Sequence, residues 1–199
     1  RNFNKIIVKN GLNLFNNTNF KNLNNLINLK KKITSTDIGF ILGPILNSSS
    51  RLGFSDLVIK LLKEQNIYSI NKISKKLIFL NLKRKKIQNK TFQYLKNKIK
   101  ISPTEVIFKY EKTLNEGIIG ILAANFVEYY NKPSFILTKS KNEIKCSSRS
   151  IKGFNIGHIF NMALEKKIIK SGGGHSMAGG CILDKKKINE FNNFLNSIY

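Results

Sequence analysis

The sequence predicts an α/β protein in two parts: a helical N-terminal segment with a long connector helix, then an open α/β domain. Three observations carry that prediction. Outside Ser35–Gly53, apolar residues keep a helical spacing from Ile6 to Ile99. After Ser102-Pro103 the rhythm changes to short apolar runs alternating with amphipathic segments. Late in the chain, Ser171-Gly172-Gly173-Gly174-His175-Ser176-Met177-Ala178-Gly179-Gly180 gathers five glycines, two hydroxyls and a histidine.

The elements follow in order. Ile6, Ile7, Leu14 and Phe15 around Gly11 predict a short helix, and Leu23, Leu26 and Ile27 recur at helical spacing. Lys30-Lys31-Lys32 is a solvated charge run. Ile38 to Pro44 is interrupted by glycines, and is expected as irregular buried backbone leading into a loop over Ile45–Gly53. Ser55-Asp56 is expected to cap a helix through Leu57, Val58, Leu61 and Leu62. Residues 70–100 form the longest helical pattern, with a lysine-rich face, and a domain boundary is expected near residue 101. Beyond it, strands are expected at 106–110, 135–137, 143–150 and 180–183. Helices are expected at 117–130, from Ile156 to Ile168, and after a capping Asp184.

The composition narrows the partners. The 199 residues hold 35 Lys and Arg against 11 Asp and Glu, a formal net charge of +24. Such a field attracts polyanions. The abundance of Lys, Asn and Ile also fits an AT-biased genome, so charge points to nucleic acid only where it joins a motif. Arginine is the informative residue, occurring only as Arg1, Arg51, Arg84 and Arg149. Cys146 and Cys181 lack metal-ligand spacing, and the sequence leaves a disulfide between them open. No apolar run reaches transmembrane length and no signal-peptide pattern opens the chain, so no membrane partner is expected and the expected location is cytoplasmic. A start at Arg1 rather than Met is what a fragment or a processed product would show.

Three stretches share one chemistry. Ser48-Ser49-Ser50-Arg51 and Cys146-Ser147-Ser148-Arg149-Ser150 each set hydroxyls beside a guanidinium. The glycine stretch adds backbone amides, His175 and Ser176. Arginine suits bidentate phosphate contacts, and amides and hydroxyls complete such a site. The alternatives are a polar linker around Arg51 and a plain tight turn at the glycines. Glycines this dense are expected to take positive φ and to expose N–H groups to an anion. No close set of carboxylates and histidines suggests a catalytic metal site.

These residues carry a resemblance. Ile38-Gly39-Phe40, Gly43-Pro44, Asn47 and Arg51-Leu52-Gly53 resemble the segment after the catalytic domain in RecJ-type single-strand-specific DNA exonucleases of the DHH phosphoesterase superfamily. Glu116 to Ile121, Ser147 to Ser150 and Ser171 to Gly180 resemble the DHH-associated substrate-binding domain. The resemblance implies three parts: 1–69, the C-terminal remnant of the DHH catalytic domain; 70–101, the connector helix; and 102–199, the DHH-associated domain. It implies 5′-to-3′ hydrolysis of single-stranded DNA, in repair and recombination, by an enzyme using Mn²⁺ or Mg²⁺. It assigns DNA-phosphate contacts to Arg51, Ser147, Arg149, Gly173, Gly174, His175 and Ser176. The metal-binding motif is not in this sequence, so the chain alone is expected to bind no metal and to be inactive. Three positions depart from the family pattern: Ile45 stands for an Arg, Ser50 for a Gly and Asn115 for a His. Two other readings stay open: a DHH-family phosphodiesterase of short oligonucleotides or cyclic dinucleotides, and a nucleic-acid-binding module without chemistry.

Overall fold

The computed structural model describes residues 2–17, 23, 26, 32–99 and 102–199. Ile27 and Lys30-Lys31 lie outside the described residues. The chain divides into two compact units, Arg1–Lys86 and Ile87–Tyr199.

Unit 1 is helical. Helix α1 spans Asn2–Asn17. Thr34 then starts a short turn, Ser35–Asp37, through a capping box: its hydroxyl accepts from the Asp37 amide and the Asp37 carboxylate accepts from the Thr34 amide. The backbone continues as a π-helical segment, Ile38–Leu42, and as helix α2, Gly43–Arg51. The expected loop over Ile45–Gly53 is therefore helical. Pro44 falls in the first turn, where its missing N–H costs nothing, and Leu42 and Ile45 anchor the helix in an apolar cluster with Leu61, Ile70 and Leu77. Gly53, at φ +85, ends it. Helix α3, Asp56–Lys63, has no side-chain cap, because the Ser55 hydroxyl donates to Asp56 Oδ1 instead. Helix α4, Ile67–Lys96, begins in this unit.

Unit 2 is an open five-stranded sheet with helices on both faces. Strands β1 (Ile107–Tyr110), β2 (Ser134–Ser140), β3 (Glu143–Arg149), β4 (Ser171–His175) and β5 (Ala178–Leu183) lie in the order β1-β2-β3-β5-β4. Only β1 and β2 are parallel. Helix α5 (Ile119–Tyr130) links that parallel pair and packs on β2 and β3. On that side Ile107, Ile136, Ile119, Leu122 and Phe126 form one core with Leu95, and Ile87 and Phe92 pack against it. Those last turns of α4 are why the units divide at Lys86 rather than near residue 101. Helices α6 (Ile156–Glu165) and α7 (Ile188–Ile198) cover the other face, where Phe135, Phe160 and Phe191 meet at centroid distances of 6.0–6.3 Å. Buried on both faces, β2 reads as a continuous apolar run.

Ends are fixed by polar contacts. Asn131 closes α5 in the left-handed region. The Lys132 ammonium beside it donates to the Ser102, Pro103 and Glu105 carbonyls at 2.6–2.9 Å. Asp184 does not cap a helix: its carboxylate pairs with Lys170 at 2.9 Å, and Lys170 also holds Glu143. Cys146 and Cys181 are free thiols directly opposite each other on β3 and β5. Burial, with Cys181 alongside, raises the Cys146 thiol well above its ordinary value, so it stays protonated at neutral pH.

Candidate functional site

The glycine stretch is a β-hairpin, not a loop. Ser171–His175 pairs with Ala178–Ile182, and Ser176-Met177 form the tip. None of its glycines has positive φ. The reason for glycine here is close approach: a Cβ at Gly179 would stand 2.6 Å from Ile156 Cγ2 and 2.8 Å from Phe160 Cε2. The tip carbonyls are also engaged, Ser176 O accepting from the Ile156 amide and Met177 O from the Ser150 amide. The hairpin therefore offers a flat floor rather than a nest of consecutive free amides.

Register decides which side chains meet above that floor. Directly paired residues point to the same face of a sheet. Arg149 pairs with Ala178, and Ala178 pairs with His175. Two residue pairs along, Ser147 matches Gly180 and Gly180 matches Gly173. Arg149, Ser147, Gly173 and His175 thus share the α5 face, with Arg149 and His175 two strands, or about 10 Å, apart. Gly173 has open space where a Cβ would be, and His175 is exposed. Gly120 in the first turn of α5 lies so near that a Cβ would meet Ser147 Oγ at 2.9 Å and Arg149 Nη2 at 3.6 Å. Arg149 Nη1 donates to the Ser148 carbonyl at 2.8 Å, which fixes the plane of the guanidinium. The hydroxyls of Ser148 and Ser150 are used elsewhere, donating to the Gly179 and Phe154 carbonyls.

Other expected site residues stand apart from that face. Gly174 lies on the α6 side, where its carbonyl is 2.9 Å from the Cβ position of Gly157. Ser176 sits at the hairpin tip. Arg51 ends α2 in unit 1. Its three serine neighbours do not offer donors: Ser48, Ser49 and Ser50 donate to the carbonyls of Ile45, Leu46 and Asn47. Asn115 holds the turn into α5 by accepting from the Gly117 amide at 2.8 Å. The next carboxylate, Glu116, is held below its usual range by a hydrogen bond from Ser140 and by Lys145 at 3.3 Å.

Two residues that were not among the expected phosphate contacts also reach the site. Gly120 was visible as the second glycine of Gly117-Ile118-Ile119-Gly120. Ser134, fully buried, pairs directly with Arg149 and has no hydrogen-bond partner for its hydroxyl. No local signal marks it. Among the described residues, no group of three or more His, Cys, Asp or Glu could hold a metal ion, so Mn²⁺ or Mg²⁺ does not fit the residues present. No described helix is long and apolar enough to cross a membrane.

Residues 103–199, which hold the sheet, its covering helices and the glycine hairpin, match the DHHA1 domain family. The chain as a whole is similar to the single-stranded-DNA-specific exonuclease RecJ. It is 26% identical over 204 residues to the Bacillus subtilis protein, covering 98% of this chain and 26% of that one. To the Escherichia coli protein it is 29% identical over 170 residues, covering 81% and 30%. The fold superposes on RecJ of Thermus thermophilus in complex with Mn²⁺ at a TM-score of 0.86 and 21% identity, over 98% of this chain and 29% of that one. The chain thus spans less than a third of these relatives.

Proposed function

We propose that this chain is the substrate-binding half of a RecJ-like, cytoplasmic 5′-to-3′ single-stranded-DNA exonuclease, a phosphodiester hydrolase of DNA repair and recombination. The observation that carries the reading is the shared face of Ser147, Arg149, Gly173 and His175 beside Gly120. A guanidinium of fixed plane, with a hydroxyl and an imidazole above a glycine floor, accepts a phosphate and lets a sugar-phosphate backbone approach closely. Arg51 supplies a further phosphate contact from unit 1. Residues 1–69 are then part of a DHH catalytic domain, 70–101 the connector and 102–199 the substrate-binding domain. Phe3, Ile6, Ile7 and Leu14, all exposed on α1, support a larger domain around unit 1. A divalent ion in a full-length enzyme would supply the activation of water, and none of the described residues of this chain would hold it. The residues of this chain would bind and orient the strand.

The test is affinity for 5′-phosphorylated and 5′-hydroxyl strands of one sequence at one salt concentration. A bidentate charged contact contributes roughly 1.5–3 kcal/mol, so Arg149→Ala should weaken binding of the phosphorylated strand about tenfold or more. Equal affinities for the two strands, unchanged by Arg149→Ala, would overturn the reading.

A further inference from the structure

The face that carries Arg149 continues along β3 beyond the residues of the site described above. Burial alternates along this strand. Ile144, Cys146 and Ser148 are buried, whereas Glu143, Lys145, Ser147 and Arg149, on the other face, are partly or fully exposed. Contacts at both ends fix that second face as the α5 side. A Cβ at Gly120 would meet Ser147 Oγ and Arg149 Nη2, and Lys145 Nζ lies 3.3 Å from Glu116 Oε2, in the turn that leads into α5. Beside this strip the floor stays open. Gly180 and Gly173, in register with Ser147, are exposed, and so is Ser171, in register with Lys145 through Ile182. Two cations thus stand on one open strip about 13 Å apart, with the Ser147 hydroxyl midway. The carboxylates at the far end are both engaged, Glu116 by Ser140 and Lys145, and Glu143 by Lys170, which also holds Asp184.

We propose that Lys145 holds a second phosphate of the same single strand, so that β3 is a track from Arg149 through Ser147 to Lys145 rather than one pocket. In the free chain Lys145 is paired with Glu116. Both side chains are nearly half exposed, at 48% and 41%, and an ion pair in water contributes little. Its replacement by a phosphate therefore costs little. The ammonium exchanges one anion for another, and the Glu116 carboxylate keeps the hydrogen bond from Ser140, the stronger of the contacts that hold it ionised. A compact ammonium on a flexible stem meets an internal phosphate as a point charge, while the planar fork of Arg149 suits the strand end. The exposed glycines beside the strip leave room for the sugar-phosphate backbone between the two contacts. The alternative is a lysine whose charge adds only to the general field of the chain. The two differ in locality. A phosphate contact couples Lys145 to Glu116 in binding, and a general field does not.

The inference rests on the reading of this face as the surface that takes the strand, and the experiment separates the two. The full chain and its Lys145→Gln, Glu116→Gln and double variants are titrated with a 5′-hydroxyl single strand across a range of KCl. Thermal unfolding is followed for each variant. The control is Lys166→Gln, which removes the same charge at the end of α6, on the other face of the sheet. Lys145→Gln should bind about three- to fivefold more weakly, with a slope of log K against log salt shallower by about 0.7, and Lys166→Gln should leave both nearly unchanged. Glu116→Gln should bind about two- to threefold more tightly, because Lys145 no longer leaves a carboxylate, and that gain should vanish when Lys145 is also replaced. A Lys145→Gln effect no larger than that of Lys166→Gln overturns the second contact. So does a Glu116→Gln gain that is the same with and without Lys145, or weaker binding that tracks lost thermal stability at unchanged slope. Arg149→Ala is run in parallel on 5′-phosphorylated and 5′-hydroxyl strands. If it removes a preference for the 5′-phosphate while Lys145→Gln behaves as the control does, this contact fails and the proposed function stands. If the 5′-phosphate confers no preference while Lys145 and Glu116 remain coupled, the grip on the strand end fails and this contact stands.

Discussion

At the scale of single residues, glycines and arginines carry most of the account, and each owes its role to what lies across from it. Gly179 faces Ile156 and Phe160 with no room for a methyl group. Gly179→Ala should overpack that contact and destabilise the chain by about 1–3 kcal/mol, measured by urea unfolding. Arg149 was legible as a candidate phosphate ligand because a basic residue stood among hydroxyls. The expected strand over 143–150 puts Ser147 and Arg149 on one face and Ser148 on the other, but does not tell which of those faces looks to α5. That sorting follows from the two-residue period of a strand, once the strand is known.

At the scale of elements, long periodic stretches were readable and glycine-rich ones were not. The 30 residues of α4 announced themselves by an apolar stripe, and α5 and α7 did likewise. Helix α2 was hidden, because its glycine, proline and three serines are loop formers by composition. Packing of Leu42 and Ile45 and back-bonding of the serine hydroxyls overrode that preference. Strand β4 was hidden for a related reason: its three glycines have no side chain to show a period, and it is an exposed edge strand. Strand β2 is the opposite case, with Phe135 wholly buried against Phe160 and Phe191. Phe135→Ala should leave a cavity and cost about 3–5 kcal/mol, visible as a large fall in the urea midpoint. A loss below about 1 kcal/mol would mean the helices do not clamp the strand as described.

At the scale of the whole molecule, a formal charge of +24 ensures attraction to any polyanion. The central claim is narrower: the strand end is held on the β3–β5–β4 face beside α5, by Ser147, Arg149, Gly173 and His175. Bulk charge would instead spread binding along lysines such as Lys75, Lys83, Lys86 and Lys90 of α4. The direct measurement is a map of backbone amide chemical-shift changes in the full chain as a 5′-phosphorylated oligonucleotide is added at moderate salt. The account predicts the largest changes at Gly120, Ser147, Arg149, Gly173 and His175, reduced when the oligonucleotide ends in a hydroxyl. Changes spread along the α4 lysines, with the glycine hairpin unmoved by either oligonucleotide, would contradict it.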